Sequence, residues 1–233
     1  MYKILLVEDD LDICEIMKMY MSRTNNSLAI ANTAHEALQM VKEDNFDLIL
    51  LDIMLPDITG IDLCSKLRKE DFFVPIIFIS CIDDDETIIK ALEMGGDDYI
   101  VKPFNCSVVL ARIEANMRRV RMAREHPTPK NEIVLEDFTI DGSDYSIIKN
   151  GQKIALTPIE FKILTYMTAN PERVLTLEEL YQNIWHEPSF DDVRTVKVHV
   201  SNLRKKLEDD PSNPKHIKTV RKIGYIFHAG SSV

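Results

Sequence analysis

The chain has 233 residues, of which 45 % are hydrophobic and 28 % charged, and its formal net charge is −10. This is an ordinary globular balance that suggests one large or two small domains, and no apolar run approaches the roughly 20 residues of a membrane helix. The amino terminus has no cleavable signal pattern and the four cysteines are widely spaced, so a cytoplasmic protein with reduced thiols is expected.

The net charge is divided unevenly along the chain. Residues 1–119 carry 12 Lys and Arg against 22 Asp and Glu, whereas residues 120–233 carry 16 of each. Within the second part, Val193–His228 holds nine basic residues and three acidic ones. The total charge argues against a nucleic-acid partner and the local charge argues for one.

The first 119 residues alternate short apolar runs with helical patterns. Ile13, Ile16 and Tyr20, for example, recur at helical spacing after the first run. Five strands alternating with five helices predict right-handed crossovers and a doubly wound α/β parallel sheet. No G-x-G-x-x-G follows the first strand, which argues against a dinucleotide site. The predicted strands are Ile4–Val7, Leu28–Ala31, Leu48–Leu51, Ile76–Ile79 and Asp98–Val101.

The remainder has a different plan. Residues 120–131 form the predicted linker, because they are polar and contain His126-Pro127-Thr128-Pro129, which cannot continue a helix. Residues 132–233 are predicted to form a small sheet, three helices and a terminal hairpin, the α+β plan of a winged helix. The strand-like runs are Ile133–Leu135, Phe138–Ile140, Tyr145–Lys149 and Lys153–Ala155. The helices begin at Thr157, Thr176 and Asp191–Asp192, and the hairpin joins His216–Val220 to Tyr225–Phe227.

The stretch Asp47–Gly60 contains the most informative carboxylate. Leu48–Leu51 reads as a strand buried on both faces, and Asp52 stands where that strand ends. Taken alone, Asp52 could simply begin a turn. Ligands bind at this carboxyl edge of open α/β sheets.

Other strand ends carry matching chemistry. Glu8-Asp9 follows the first strand, Ser80 ends the fourth and Lys102 follows the fifth. Each has an ordinary interpretation alone, as a helix cap, a turn residue or a surface lysine, but parallel strands bring all of these ends to one edge. The combination predicts a Mg²⁺ site and phosphoryl transfer onto Asp52.

These residues, with Met54-Leu55-Pro56 and Asp97–Phe104, resemble the flavodoxin-like receiver domain of two-component response regulators over residues 1–119. The resemblance implies that Asp52 is phosphorylated. It implies that Asp9, Asp52 and the Met54 carbonyl bind Mg²⁺ with Glu8 assisting through water, and that Lys102 contacts the phosphoryl group. Ser80 and Tyr99 are the implied switch pair.

A phosphatase of the haloacid-dehalogenase class is the nearest different interpretation, since it also phosphorylates an Asp at a strand end. Those enzymes need a second Asp two positions later as general acid. Position 54 here is Met, which cannot transfer protons.

The helix predicted over Val193–Leu207 is the second informative feature. Its apolar residues repeat at intervals of three and four, and its other faces are largely cationic or polar. A solvated charged face is the ordinary interpretation, but the helix precedes a basic hairpin. The apolar stripe is Val193, Val196, Val200, Leu203 and Leu207.

Arg194-Thr195-Val196, Leu203–Leu207, Thr219-Val220-Arg221 and Gly224-Tyr225 resemble the winged helix-turn-helix effector domain of the OmpR/PhoB family. The resemblance implies that the third helix enters the major groove of promoter DNA and the hairpin wing the minor groove. It also implies that Glu187–Asp192 faces RNA polymerase. The assigned DNA contacts are Arg194, Thr195, Lys197, Val198, His199, Ser201, Asn202, Arg204, Lys205, Thr219, Arg221, Lys222 and Tyr225.

Base contact is assigned to Val198, Ser201 and Asn202. Asn suits adenine and Val suits a thymine methyl, so an A·T-leaning half-site is predicted. The flanking residues His199, Arg204, Thr219 and Arg221 are interpreted as phosphate contacts. Lys222 stands where relatives often have Gly, which bears on the turn of the wing.

In this family, dimerisation uses the fourth helix, fifth strand and fifth helix after phosphorylation. Asp98 with Arg112, and Asp97 with Arg119, match the ion pairs expected across such a dimer.

A third charged pair of the dimer is missing from the sequence. Ile88 and Val108 stand where relatives often place a basic and an acidic residue. Exposed ion pairs contribute only about 0–1 kcal/mol, so an apolar contact could replace this one. The alternative is that both side chains pack inside each protomer.

The sequence therefore predicts a DNA-binding response regulator that a sensor histidine kinase phosphorylates on Asp52 and that dimerises in response. The alternative is a phosphorylation-independent regulator that keeps the receiver only for dimerisation. The intact set Asp9, Asp52, Ser80 and Lys102 argues against this alternative.

Overall fold

The structure, a computed structural model, describes the backbone of residues 1–125, 132–142, 145–185 and 193–230, and the side chains of these residues except 118–125 and 193. The chain divides into two compact units, Met1–Val120 and Arg121–Val233. No helix among the described residues is long and apolar enough to cross a membrane.

The first unit is a five-stranded parallel sheet with helices between successive strands. Its strands are β1 (Lys3–Val7), β2 (Ser27–Ala31), β3 (Leu48–Leu51), β4 (Ile76–Ser80) and β5 (Asp98–Val101). Its helices are α1 (Leu11–Met21), α2 (Ala34–Glu43), α3 (Gly60–Lys69), α4 (Asp85–Glu93) and α5 (Cys106–Glu125). The strand order is β2-β1-β3-β4-β5, so the carboxyl ends of β1 and β3 flank the switch point where such sheets bind ligands.

Burial on both faces explains the apolar strands. All four residues of β3 are fully buried, because helices cover both sides of a parallel sheet. On one side Leu6, Leu50 and Ile79 belong to a core cluster that includes Ile113 of α5. The predicted fold of the first half is confirmed, with every strand within one residue of its predicted bounds.

Polar residues fix where these helices begin. Asp10, Thr33, Thr59 and Asp84 are the N-caps of α1 to α4, and each side chain accepts a hydrogen bond from a first-turn amide. Asp10 is therefore a structural cap beside Glu8 and Asp9. Helix α5 runs past Val120, the last residue of the first unit, to Glu125 and so into the predicted linker. Residues 126–131 lie outside the described part, and the predicted domain boundaries stay a prediction.

The second unit is a winged helix, as predicted. Strands β6 (Glu132–Val134), β7 (Phe138–Asp141), β8 (Ser146–Lys149) and β9 (Gln152–Ala155) form an antiparallel sheet in chain order. They are followed by α6 (Pro158–Thr168), β10 (Val174–Thr176), α7 (Leu177–Trp185) and α8 (Val193–Leu207). The terminal hairpin is β11 (Ile217–Val220) and β12 (Gly224–Phe227). Val196, Val200, Leu203 and Leu207 of α8 join its core.

Strand β10 was not predicted from the sequence. It is short and pairs with β12, far along the chain, to give a sheet of order β10-β12-β11. Gly224 allows this approach, since a Cβ there would lie 2.0 Å from the Leu175 carbonyl oxygen. Three residues carry too little periodicity for a strand prediction when their partner is so distant.

Candidate functional site

Strand ends at one edge of the parallel sheet bring acidic and basic side chains together. Glu8 follows β1 and Asp52 follows β3, and they are 1 % and 5 % exposed. The ammonium group of Lys102, which follows β5, lies 2.7 Å from Glu8 Oε2 and 2.6 Å from Asp52 Oδ2. The predicted convergence of these three residues is present in the structure.

Burial and the lysine act in opposite directions on this group. Loss of solvent raises the pKa of Glu8 to about 7, although the hydrogen bond from Lys102 favours the charged carboxylate. Burial also acts to lower the pKa of Lys102, but its hydrogen bonds to Asp52 and Glu8 outweigh this effect and raise it. Lys102 therefore stays protonated at neutral pH and screens the two carboxylates from each other.

Asp9 adds a third carboxylate. One ligand oxygen each from Glu8, Asp9 and Asp52 lies within 4.8 Å of the others, and only Asp9 is exposed. When Glu8 is charged, the three carboxylates and one ammonium group carry two formal negative charges, which suit a divalent cation. Oxygen ligands with solvent on one side fit Mg²⁺, which keeps several waters. The backbone of Met54 adjoins this group, because its amide donates to Asp52 Oδ1 at 3.1 Å.

Ser80 and Tyr99, the predicted switch pair, lie on neighbouring strands β4 and β5. Ser80 is fully buried, and the buried ring of Tyr99 stacks on Phe78 with centroids 6.2 Å apart. The Tyr99 hydroxyl donates to the Ile82 carbonyl at 2.7 Å. Burial raises the pKa of Tyr99 to about 12, and a hydrogen bond with Ser80 opposes this rise. The tyrosine ring therefore occupies an inward position beside the serine.

The loop from Asp52 to α3 is held by contacts that sequence reasoning missed. Asp57 accepts hydrogen bonds from the amides of Ala34 and His35, at 2.9 Å and 2.8 Å, at the start of α2. A Cβ at Gly60 would lie 2.0 Å from the carbonyl oxygen of Asp52. Both residues belong to the Asp47–Gly60 stretch, but the atoms that they meet come from tertiary structure, which the sequence pattern does not show.

The acidic residues of the predicted dimer ion pairs already have partners within the chain. Asp97 is fully buried and accepts hydrogen bonds from Arg68 at 3.1 Å and from the Ile76 amide at 2.9 Å. Asp98 is 1 % exposed and forms an ion pair with Arg112 of the same chain at 2.6 Å. Both carboxylates are neutralised within the protomer, because an unpaired buried charge is costly. The side chain of Arg119 lies outside the described part of the structure.

Ile88, the α4 member of the predicted apolar contact, is buried in the chain. Its side chain is 2 % exposed and packs inside the protomer, the alternative left open above. The next residue, Ile89, is 37 % exposed, and Val108 on α5 is 43 % exposed. The apolar surface of this face therefore includes Ile89 and Val108.

On α8 the structure narrows the predicted DNA surface. Val198 and Asn202, predicted to contact bases, are each 7 % exposed, while Thr195 and His199 are 0 % and 1 % exposed. These four side chains are buried because α8 packs against both α6 and α7 and buries more than one stripe. The ring of Trp185 in α7, for example, lies 5.8 Å from that of His199.

The remaining predicted contacts on α8 reach solvent. Lys197 and Lys205 are exposed, and Arg194, Ser201 and Arg204 are partly buried. Glu187–Asp192, the segment predicted to face RNA polymerase, lies outside the described residues.

The predicted wing carries an exposed cationic tip. Thr219, Arg221 and Lys222 are exposed, whereas Tyr225 is 7 % exposed and packs under Arg204. The assignment of Tyr225 as a DNA contact stays a prediction. Lys222 has a φ of +64°, so a lysine holds the left-handed conformation that favours glycine.

Comparisons with known proteins agree with this architecture. The family described as "Response regulator receiver domain" matches residues 4–114, and "Transcriptional regulatory protein, C terminal" matches residues 151–227. The uncharacterized transcriptional regulatory protein YcbL of Bacillus subtilis (strain 168) is 37 % identical over 222 residues, covering 95 % of this chain and 98 % of YcbL. These matches define a receiver joined to a transcription-regulatory domain.

Two solved structures give the same result. A RitR mutant aligns with a TM-score of 0.80 and 26 % identity, over 99 % of this chain and 100 % of that one. DrrB, an OmpR/PhoB homolog from Thermotoga maritima, aligns with a TM-score of 0.52 and 31 % identity, over 98 % and 99 %. The chain belongs to the OmpR/PhoB family and is a two-component response regulator with a DNA-binding effector domain.

Proposed function

We propose that a partner histidine kinase phosphorylates Asp52 and that the phosphorylated protein dimerises and regulates transcription at promoter DNA. The observation that carries the proposal is the buried junction of Glu8, Asp52 and Lys102 at the sheet edge, with the lysine within 2.7 Å of both carboxylates. Such a junction can hold an anionic phosphoryl group against a nucleophilic carboxylate and a fixed cation.

Transfer of the phosphoryl group to Asp52 is a displacement at phosphorus. A carboxylate oxygen of Asp52 attacks phosphorus, and the bond from phosphorus to the kinase imidazole nitrogen breaks. The imidazole keeps the electron pair of that bond, and the product is an aspartyl phosphate. Lys102, 2.6 Å from Asp52, can follow the negative charge onto the phosphoryl oxygens. Glu8, Asp9, Asp52 and the Met54 carbonyl would hold Mg²⁺, which would supply positive charge to the site.

Ser80 and Tyr99 would transmit the change. An added phosphoryl oxygen offers the Ser80 hydroxyl a strong acceptor. Tyr99 contacts this serine and the Ile82 carbonyl, so movement of Ser80 alters what holds the ring. The inward position of the ring supports this role.

Exposed apolar side chains beside the acidic site support docking of a kinase. Leu11 and Met54 are 68 % and 63 % exposed, and Ile16 and Met19 on α1 are 44 % and 48 % exposed. Large apolar residues exposed together mark protein contact surfaces. A phosphorylated histidine must approach Asp52 closely, so a docking surface is expected next to the strand ends.

For dimerisation we propose an apolar contact that uses Ile89 and Val108. Both are exposed, and β5 between their helices is an edge strand of the sheet. The buried Ile88 and the internally paired Asp97 and Asp98 leave this surface less charged than the sequence suggested. An apolar contact predicts a dimer that weakens little with added salt.

For DNA binding we propose that α8 presents Arg194, Lys197, Ser201 and Lys205 to the duplex, while the wing adds Arg221 and its neighbours. Their exposure and charge support phosphate contact, which positions a protein on DNA. The predicted A·T preference depended on Val198 and Asn202, and their burial removes that support. RNA polymerase remains the expected partner of Glu187–Asp192.

Phosphorylation and DNA selection test the proposal together. The purified chain is incubated with acetyl phosphate and Mg²⁺, and Phos-tag electrophoresis follows the phosphoprotein, with Asp52→Asn as control. We expect a shifted band that needs Mg²⁺ and Asp52, a larger dimer fraction in sedimentation, and tighter binding to duplexes selected from a random pool. DNA binding without any Asp52-dependent shift would favour the phosphorylation-independent regulator instead.

A further inference from the structure

Two side chains at the end of α8 bind the backbone carbonyl and the backbone amide of one residue of strand β11, Ile217. Arg204 donates from Nε and Nη2 to the carbonyl oxygen of Ile217, at 2.9 Å and 2.6 Å. Glu208, one turn later and 6 % exposed, accepts from the amide of Ile217 at 2.8 Å. Two side chains of opposite charge therefore grip one fully buried residue of the wing.

These hydrogen bonds lie on the side of β11 that faces away from β12. β11 is an edge strand of the β10-β12-β11 sheet, so its outward backbone groups lack a strand partner. The neighbouring His216 carbonyl faces β12 and accepts from the His228 amide at 2.8 Å. Ile217 consequently turns its own groups away from β12, where Arg204 and Glu208 take the place of a further strand.

Further bonds extend the grip along the hairpin. Arg204 Nη2 donates to the Thr219 hydroxyl at 2.9 Å, and its guanidinium lies 5.3 Å from the centre of the Tyr225 ring. The Glu208 carboxylate also accepts from the amides of Lys215 and His216, at 2.8 Å and 3.0 Å. We refer to Arg204 and Glu208 as the α8–wing clamp.

We propose that the α8–wing clamp sets the distance between α8 and the wing so that both reach the duplex at once. Arg204 is then a positioning residue, not the phosphate contact that its sequence position suggested. This inference depends on the proposed DNA binding. The grooves of DNA have fixed spacing, so the exposed Arg221 can contact DNA only when the hairpin is held in place.

The chemistry of Arg204 makes the clamp specific. Its planar fork directs two N–H groups at one carbonyl and a third at a hydroxyl, whereas a lysine offers a single point charge. Arg204→Lys therefore keeps the charge and loses the geometry. Glu208 is acidic and near the proposed DNA surface, so simple electrostatics predicts that its neutralisation strengthens binding. The proposed clamp predicts the opposite result, that neutralising Glu208 weakens binding.

The test measures affinity of the full chain for the duplex that the wild-type protein selects from a random pool. Arg204→Lys and Glu208→Gln should each weaken binding by about tenfold, since each loses hydrogen bonds of a charged group. Asp210→Asn is the matched control for Glu208→Gln, because it removes an exposed negative charge nearby and should leave binding equal or slightly tighter.

A double-mutant cycle separates positioning from general damage. Arg221→Ala should weaken binding in the wild-type background but by less than about twofold in the Arg204→Lys background, since a released wing no longer delivers Arg221. Circular dichroism and thermal unfolding verify that each variant folds. If one of the two clamp variants does not fold, the affinity of the other is sufficient for the test. The inference is overturned if Arg204→Lys binds the duplex with wild-type affinity and its effect simply adds to that of Arg221→Ala. It is also overturned if Glu208→Gln binds the duplex more tightly than the wild-type chain. Failure of the wild-type chain to select any duplex would instead defeat the proposed function.

Discussion

Replacing Gly60 with alanine is the sharpest test of how the phosphoryl acceptor is held. A Cβ at this position would lie 2.0 Å from the Asp52 carbonyl oxygen and 2.9 Å from its carbonyl carbon, and Cβ atoms essentially never come within 3.0 Å of another heavy atom. The start of α3 and Asp52 must therefore separate by about 1 Å. Displacement of a reacting group by this distance lowers a rate about 100-fold. Overpacking of this kind also lowers the free energy of unfolding by about 1–3 kcal/mol.

The assay follows the initial rate of Asp52 phosphorylation by acetyl phosphate on Phos-tag gels, with urea unfolding in parallel. Ser65→Ala, within the same helix, is the control because it adds no atoms, and its rate should stay near that of the wild-type chain. The fall in rate should persist at temperatures where Gly60→Ala is fully folded. A Gly60→Ala variant with wild-type rate and wild-type stability would refute the argument that this approach constrains Asp52.

Three further predictions concern stability and metal affinity. Lys222→Gly should raise the free energy of unfolding of the second unit by about 1 kcal/mol, measured with urea, because the lysine occupies a left-handed conformation; Asn150→Gly should gain less, since asparagine tolerates that region. Thr157→Ala should lower the free energy of unfolding by about 1 kcal/mol, because it removes the capping box that Thr157 forms with Glu160. Thr157→Ser should retain most of this stability, since serine keeps the hydroxyl that caps the helix. Because burial raises the pKa of Glu8 to about 7, Mg²⁺ affinity in calorimetry should fall as the pH drops from about 8 to 6, where the neutral acid replaces the ligand; Glu8→Gln should bind more weakly and lose that dependence.

Strand ends were predictable because they depend on local rules. Leu48–Leu51 is an uninterrupted apolar run, which is typical of a strand buried on both faces, and this predicts where Asp52 emerges. Parallel topology then carries Glu8 and Lys102 to the same edge without any knowledge of contacts. The start of the helix at Thr157 was predictable for the same reason, since the hydrogen bonds between Thr157 and Glu160 that cap it span three residues.

Contacts between distant segments were not predictable in this way. Asp97 follows a glycine pair and looks like an exposed loop residue, yet Arg68, from a different helix, reaches it at 3.1 Å. Arg68 also donates to the carbonyls of Phe72, Val74 and Gly95, so one arginine secures the approach to β5. Nothing in the spacing of these residues indicates that they meet.

The burial of several predicted DNA contacts on α8 has one physical cause. A period of about 100° per residue locates the centre of a buried stripe but not its width, which depends on how many neighbours the helix contacts. Because α8 contacts both α6 and α7, Thr195 and His199 beside the stripe are buried as well. The surface left for a partner is the arc farthest from both neighbours, where Lys197, Ser201 and Lys205 follow one another at intervals of four. Assignment of binding residues on a recognition helix therefore has to begin from its packing partners, and the exposed arc follows from them.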